Sequence, residues 1–122
     1  MKKIGYMDGT DPLLLSKLAA AGVETAPLGN GYDNAGRYLG YINPADGIVA
    51  VVGYFHKFLP LEGSNVCASD LLKPCAIHSV PVFVIIPKED AAHAKEIMGD
   101  CGPNVKFADP ADVAAELMKF VK

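Results

Sequence analysis

Short apolar runs alternate with longer segments of helical character along the whole chain. Two of the runs, at 47–52 and 82–86, are almost continuously apolar, which is typical of parallel strands buried on both faces. Strands that alternate with helices imply parallel pairing through crossover helices. The predicted strands lie at 3–7, 23–28, 47–52, 82–86 and 104–108. Five such units predict an α/β fold, a single flavodoxin-like (Rossmann-like) three-layer domain over residues 1–122 with strand order 2-1-3-4-5.

Two of the predicted helices begin at an Asp–Pro pair. Asp11-Pro12 and Asp109-Pro110 each supply an N-cap side chain and a proline at the first helical position. The first of these helices runs to residue 21, where Gly22 can end it. Pro27 places the second strand at an edge, since proline cannot donate to a ladder. Further helices are predicted at 35–42, 65–72 and 88–98.

Composition narrows the function classes. The chain has 122 residues, of which 51% are hydrophobic and 20% charged, and its net charge of −3 offers no basic field for nucleic acid. Three cysteines, an odd number, and a start without a signal-like apolar segment favour a reducing, cytoplasmic location. The longest apolar run, at 80–87, is far shorter than the roughly 20 residues of a membrane span. We therefore expect no nucleic-acid partner and no membrane partner.

Loops at the carboxyl ends of parallel strands are where this architecture binds ligands. The loops after the first three predicted strands carry polar and aromatic side chains that can meet at one edge of the sheet. The candidate ligand-binding residues are Asp8, Thr10, Tyr32, Asp33, Tyr54, Glu62, Gly63, Ser64 and Asn65. The alternative to a binding role is purely structural, with Ser64 as a helix N-cap and Gly63 as a turn residue. The leading prediction is a domain that binds a small molecule such as a nucleoside, a nucleotide or a phosphate-bearing metabolite.

Several specific classes lack their motifs. A phosphorelay receiver needs a phosphorylatable aspartate at the end of the third strand, but this strand ends in Val52-Gly53-Tyr54. The first loop is short and acidic, unlike a flavodoxin phosphate loop, and acid beside a phosphate repels it. There is no G-x-G-x-x-G and no Walker loop, so no cofactor is predicted. Cys75 and His78 form the only close Cys/His pair, and no metal site is predicted from it.

One family resemblance covers residues 45–87. The segments ADGIVAVV, LEGSNVCASD and HSVPVFVII resemble the third strand, catalytic helix and fourth strand of nucleoside 2-deoxyribosyltransferases. Gly63-Ser64 matches the Gly–Thr pair of that family, whereas Cys67 stands at the position of its nucleophilic glutamate and the preceding acid is one residue out of register. The resemblance implies a nucleoside-like or nucleotide-like ligand across these loops.

Two alternatives to plain ligand binding remain open. Cys67 falls in the first turn of a predicted helix, where the helix dipole favours a thiolate, and His56 could act as its base, so an enzyme of this type or of glycosyl-transfer type is one alternative. The other is a partner-binding or oligomer-forming subunit. Residues 54–61 contain five large apolar side chains, which predicts a homo-oligomer formed through this segment.

Overall fold

A computed structural model describes residues 3–7, 9–29, 37–38, 47–58, 72–98 and 104–121. Within these ranges the backbone forms one parallel sheet in the order β3-β2-β1-β4-β5-β6. The five predicted strands, now β1, β2, β4, β5 and β6, are confirmed in the predicted order. The strands are β1 (Lys3–Met7), β2 (Glu24–Gly29), β3 (Arg37–Tyr38), β4 (Ile48–Tyr54), β5 (Val82–Ile85) and β6 (Val105–Ala108).

The short strand β3 corrects the helix predicted at 35–42. Arg37 pairs with Leu28, and Tyr38 pairs with Gly29, both in parallel register. Sheet pairing with the end of β2 therefore replaces the predicted helix at residues 37 and 38, the part of this segment that the structure describes. Gly36 and Gly40 already lower the helix propensity of the sequence here. In the described sheet β3 lies outside β2, so the edge position predicted for the second strand is wrong where Leu28 and Gly29 pair with β3. Pro27 itself pairs with Tyr6 of β1, one residue before the described β3 pairs begin.

The described residues also form four helices and two 3₁₀ turns. The helices are α1 (Pro12–Ala20), α2 (Lys73–Ile77), α3 (Ala91–Met98) and α4 (Val113–Val121), and the 3₁₀ turns are Phe55–Phe58 and Lys88–Asp90. None of these helices is long and apolar enough to cross a membrane. The helix predicted at 65–72 lies outside the described residues except for Leu72, whereas α2 was not predicted.

Helix α1 follows the sequence rules at both ends. The Asp11 carboxylate accepts a hydrogen bond from the Leu13 amide at 2.9 Å, and Pro12 occupies the first helical position. At the other end Gly22 adopts a φ of +81°, and the Val23 amide donates to the Leu18 carbonyl at 2.9 Å. This is a Schellman ending, in which glycine relieves the strain of the left-handed residue. Both ends are as predicted.

The sheet carries a separate apolar cluster on each face. Helices α1 and α4 cover one face, where the buried residues include Leu14, Leu18 and Leu117. The 3₁₀ turn Phe55–Phe58 and helix α2 cover the other face. Both faces of the central strands are thus removed from water, which explains their continuous apolar sequence.

The apolar segment that follows β4 packs inward rather than outward. Phe58 is fully buried against its own chain, and Phe55 packs partly buried against the same cluster. The sequence interpretation of residues 54–61 as an exposed patch is therefore wrong at Phe58, because the 3₁₀ turn folds this ring under the sheet. Residues 59–61 lie outside the described ranges.

Candidate functional site

A cleft of about 170 Å³ opens at the carboxyl edge of the sheet, between the first turns of α1 and α4. Strand β4 ends at this cleft with Tyr54, and β5 ends there with Ile85. The edge is the one at which parallel α/β sheets bind ligands. Its lining residues are Asp11, Leu13, Leu14, Lys17, Tyr54, Ile85, Pro110, Ala111, Val113 and Ala114.

The cleft has an apolar floor and a polar rim. Leu14, Ile85 and Val113 are each less than 5% exposed and form the floor. Asp11 and Lys17 bring opposite charges to the wall formed by α1. An apolar floor with a few polar groups is the usual composition of a small-molecule site, although the volume is below the 300–1,000 Å³ typical of drug-sized pockets.

Tyr54 joins the cleft to the loop that follows β4. Its ring is half-buried on the α1/α4 face, and the His56 ring stacks on it at 6.2 Å between centroids with an 18° angle between planes. Such a separation is favourable for an offset aromatic pair. The His56 side chain is exposed, so the pair presents an aromatic surface next to the cleft.

Asp109 directly precedes the opposite rim and caps the turn at 110–112 that leads into α4. One carboxylate oxygen accepts from the Ala111 amide at 2.9 Å, and the other accepts from the Lys88 amide at 3.1 Å. These two backbone hydrogen bonds hold the pKa of Asp109 below its usual range. The Lys88 Nζ in turn lies 3.2 Å from Asp112 Oδ2. The hydrogen bond from Lys88 to this carboxylate raises the pKa of Lys88. The Asp109 side chain thus fixes the β5–α3 turn to the start of α4.

The structure leaves most of the predicted site untested. Tyr54 lines the cleft, and Thr10 lies on the neighbouring β1–α1 loop. The Thr10 side chain is 5% exposed, and its hydroxyl donates to the Met7 carbonyl at 2.6 Å, so this hydroxyl closes a turn. The remaining ligand-binding candidates and Cys67 lie outside the described residues. They are Asp8, Tyr32, Asp33, Glu62, Gly63, Ser64, Asn65 and Cys67.

The sequence did not point to the α4 side of the cleft. Ala111 and Ala114 carry no chemical group that marks them, and nothing in the sequence distinguishes Lys17 from any other surface lysine. The available signal was the repeated Asp–Pro pair. Because α1 and α4 share one face of the sheet, the Asp–Pro pair at the start of α1 and the one just before α4 come to the same edge.

A second cavity of about 140 Å³ lies beside the edge strand β6. It is bordered by two lysines and three acids, and two of these residues, Lys88 and Asp112, form an ion pair. Its charged residues are Lys88, Lys106, Asp109, Asp112 and Glu116. Exposed charges that already neutralise one another make a weaker ligand site than the apolar floor of the first cleft.

The described part of the chain contains no group of three or more His, Cys, Asp or Glu side chains placed to hold a metal ion. The sheet order and the cleft at its carboxyl edge define an α/β domain of the flavodoxin-like class. In comparisons with known proteins, no family model and no curated protein sequence matches this chain. The class of fold therefore comes from the topology alone, and fold does not specify function.

Proposed function

We propose that this protein binds a small molecule in the cleft between α1 and α4. The observation that carries the proposal is the position of a concave, apolar-floored site at the carboxyl ends of β4 and β5. This agrees with the general location of ligands in parallel α/β sheets. The half-buried ring of Tyr54 adds an aromatic wall to the same site.

The size of the cleft restricts what it encloses. A volume of about 170 Å³ is close to that of an engineered cavity of roughly 150 Å³ that binds benzene. A single ring therefore fits inside, and the rest of a larger metabolite extends across the rim. The nucleoside-like ligand implied by the sequence resemblance satisfies this condition if its base enters the cleft and its sugar stays outside.

A thermal-shift screen against nucleosides, nucleotides, sugar phosphates and flavins tests the proposal. A ligand at 100 times its dissociation constant stabilises the folded state by about 2.7 kcal/mol, a shift that is easily measured. Ala111→Trp blocks the rim of the cleft. Ala115→Trp places the same side chain at an exposed position of α4 that does not line the cleft, and it serves as the control.

We expect at least one compound class to stabilise the wild type and the Ala115→Trp variant but not the Ala111→Trp variant. Both alanines are exposed, so both variants should fold. A ligand that stabilises Ala111→Trp as strongly as the wild type would place the site elsewhere. Stabilisation by none of the compounds would remove the proposal for these ligand classes.

A further inference from the structure

We propose that the cleft selects a planar ring that is neutral or positively charged, and that it disfavours ligands whose phosphate or carboxylate lies at the two helix starts. This inference rests on the proposed function and names the ligand class for the same site. Among the ligands predicted from the sequence, it favours the uncharged ones over those that carry a phosphate. Its basis is the hydrogen bonding at the two Asp–Pro pairs, one at the start of α1 and one just before α4.

The start of α1 has few amides left for an anion. Helix N-termini bind anions because their first amides lack partners within the helix. Here Pro12 has no N–H, the Leu13 amide donates to the Asp11 carboxylate at 2.9 Å, and the Leu15 amide donates to the Asp11 carbonyl at 3.2 Å. Asp11 therefore occupies the position that a bound phosphate would need.

The turn at 110–112, directly before α4, repeats this arrangement on the other rim of the cleft. Pro110 has no N–H, and the Ala111 amide donates to the Asp109 carboxylate at 2.9 Å. The next two amides, of Asp112 and Val113, donate to the Asp109 carbonyl at 2.8 and 3.0 Å. The amides of Ala111, Asp112 and Val113 are thus already bonded, and neither Asp–Pro turn offers these amides to an anion.

Charge acts in the same direction. Asp11 is the acid of the cleft lining, and its carboxylate stands at the start of α1 where an anion would need free amides. Lys17 is the cation of the lining, but it stands six residues along α1 from Asp11, roughly 9 Å along the helix axis. A ring with an amino or amidine group toward Asp11 gains attraction, and a ring acceptor at the far end can meet Lys17.

Three probes with the same ring test this selection: benzamidine, benzamide and benzoate, which are a cation, a neutral molecule and an anion. Binding is followed by amide chemical shifts in an NMR titration at low salt. We expect benzamidine to bind about tenfold more tightly than benzoate, which is the effect of two units of ligand charge at roughly 6 Å from one carboxylate in water. Added salt should reduce the difference.

The variant Asp11→Asn separates charge from capping, because asparagine is as good an N-cap as aspartate. We expect this variant to keep its fold and to reduce the benzamidine preference to less than threefold. Benzoate binding as tightly as benzamidine, or an unchanged preference in Asp11→Asn, overturns the inference and leaves the proposed function intact. If none of the three probes shifts the amides of the cleft while a larger metabolite does, the inference again fails and the proposed function stands. If no compound shifts them, the proposed function fails.

Discussion

At the scale of single residues, Gly53 shows how one position fixes the spacing between β4 and its neighbours. A Cβ at this position would lie 2.6 Å from Met7 Cγ and 3.1 Å from Phe58 Cζ. Phe58 can tuck under the sheet only because this position carries no side chain. The sequence identified Gly53 only as a strand end, since packing across strands leaves no mark on the local sequence.

We expect Gly53→Ala to destabilise the protein by about 1–3 kcal/mol, because the added methyl overpacks the core. Chemical denaturation measures the change. Gly22→Ala is the comparison, since no atom lies within 4 Å of a Cβ there and its cost of about 1 kcal/mol arises from the positive φ alone. Unchanged stability in Gly53→Ala would show that the core around Met7 accommodates the methyl group.

Cys75 is an unreactive thiol in this structure. It is fully buried in α2, and burial raises the pKa of its thiol from 9.0 to about 12. We expect Cys67 to react with a thiol reagent near neutral pH faster than Cys75 or Cys101, as the sequence predicts from its place at a helix start. Mass spectrometry of labelled peptides over time gives the rates. Equal rates at Cys67 and Cys75 would contradict this prediction.

At the scale of elements, the clearest strain lies where α2 ends. Ser79 has a φ of +55° and follows the last turn, and the Val80 amide donates to the Cys75 carbonyl at 2.8 Å. This is a Schellman ending with serine at the position that glycine usually occupies. This helix was not predicted from the sequence; it has only five residues, and Pro74 lies in its first turn, where proline is tolerated.

We expect Ser79→Gly to stabilise the protein by about 0.5–1 kcal/mol, because glycine adopts a positive φ without the steric cost of a side chain. The matched control is Ser16→Gly at an exposed position inside α1, which should destabilise by a similar amount. Thermal unfolding of both variants tests the pair. A loss of stability in Ser79→Gly would show that the Ser79 side chain contributes more than its backbone strain costs.

The connection from Asp109 to Lys88 predicts a pH dependence. Because the folded-state pKa of Asp109 is lowered, its stabilising contribution is fully present above the ordinary aspartate pKa of about 3.9 and is lost as the pH falls through the lower folded value. Asp109→Asn can accept from only one of the two amides. We therefore expect the wild type to be more stable than this variant at pH 7, with the difference shrinking below about pH 4. Denaturation curves across this range measure it, and a difference independent of pH would contradict the assignment.

Some elements of this fold can be predicted from the local sequence, and others cannot. Helix caps and buried strands are local, and the Asp11-Pro12 start and the run 82–86 were predicted correctly, whereas Asp109-Pro110 opens a turn and α4 begins only at Val113. The strand β3 was missed because its two residues depend on pairing with β2, a contact distant in sequence. The cleft was missed on its α4 side for the same reason, since only the topology brings Ala111 opposite Asp11.

At the scale of the whole molecule, the homo-oligomer remains a prediction, but the observation that motivated it holds only in part. Its motive was an exposed apolar segment, and Phe58 is now placed inside its own chain. Large apolar side chains are nevertheless exposed at Leu13, Ile77 and Ile97. Light scattering at micromolar concentration measures the assembly state. A monomer would contradict the prediction.

The central claim is that the carboxyl edge of the sheet, between α1 and α4, is where this protein binds a small molecule. An amide chemical-shift map of the first compound that stabilises the protein tests it most directly. We predict the largest shifts at 11–17, at Tyr54 and at 111–114, which line the cleft. Shifts concentrated instead around Val80 and Asn104, at the amino-terminal edge of the sheet, would contradict the claim.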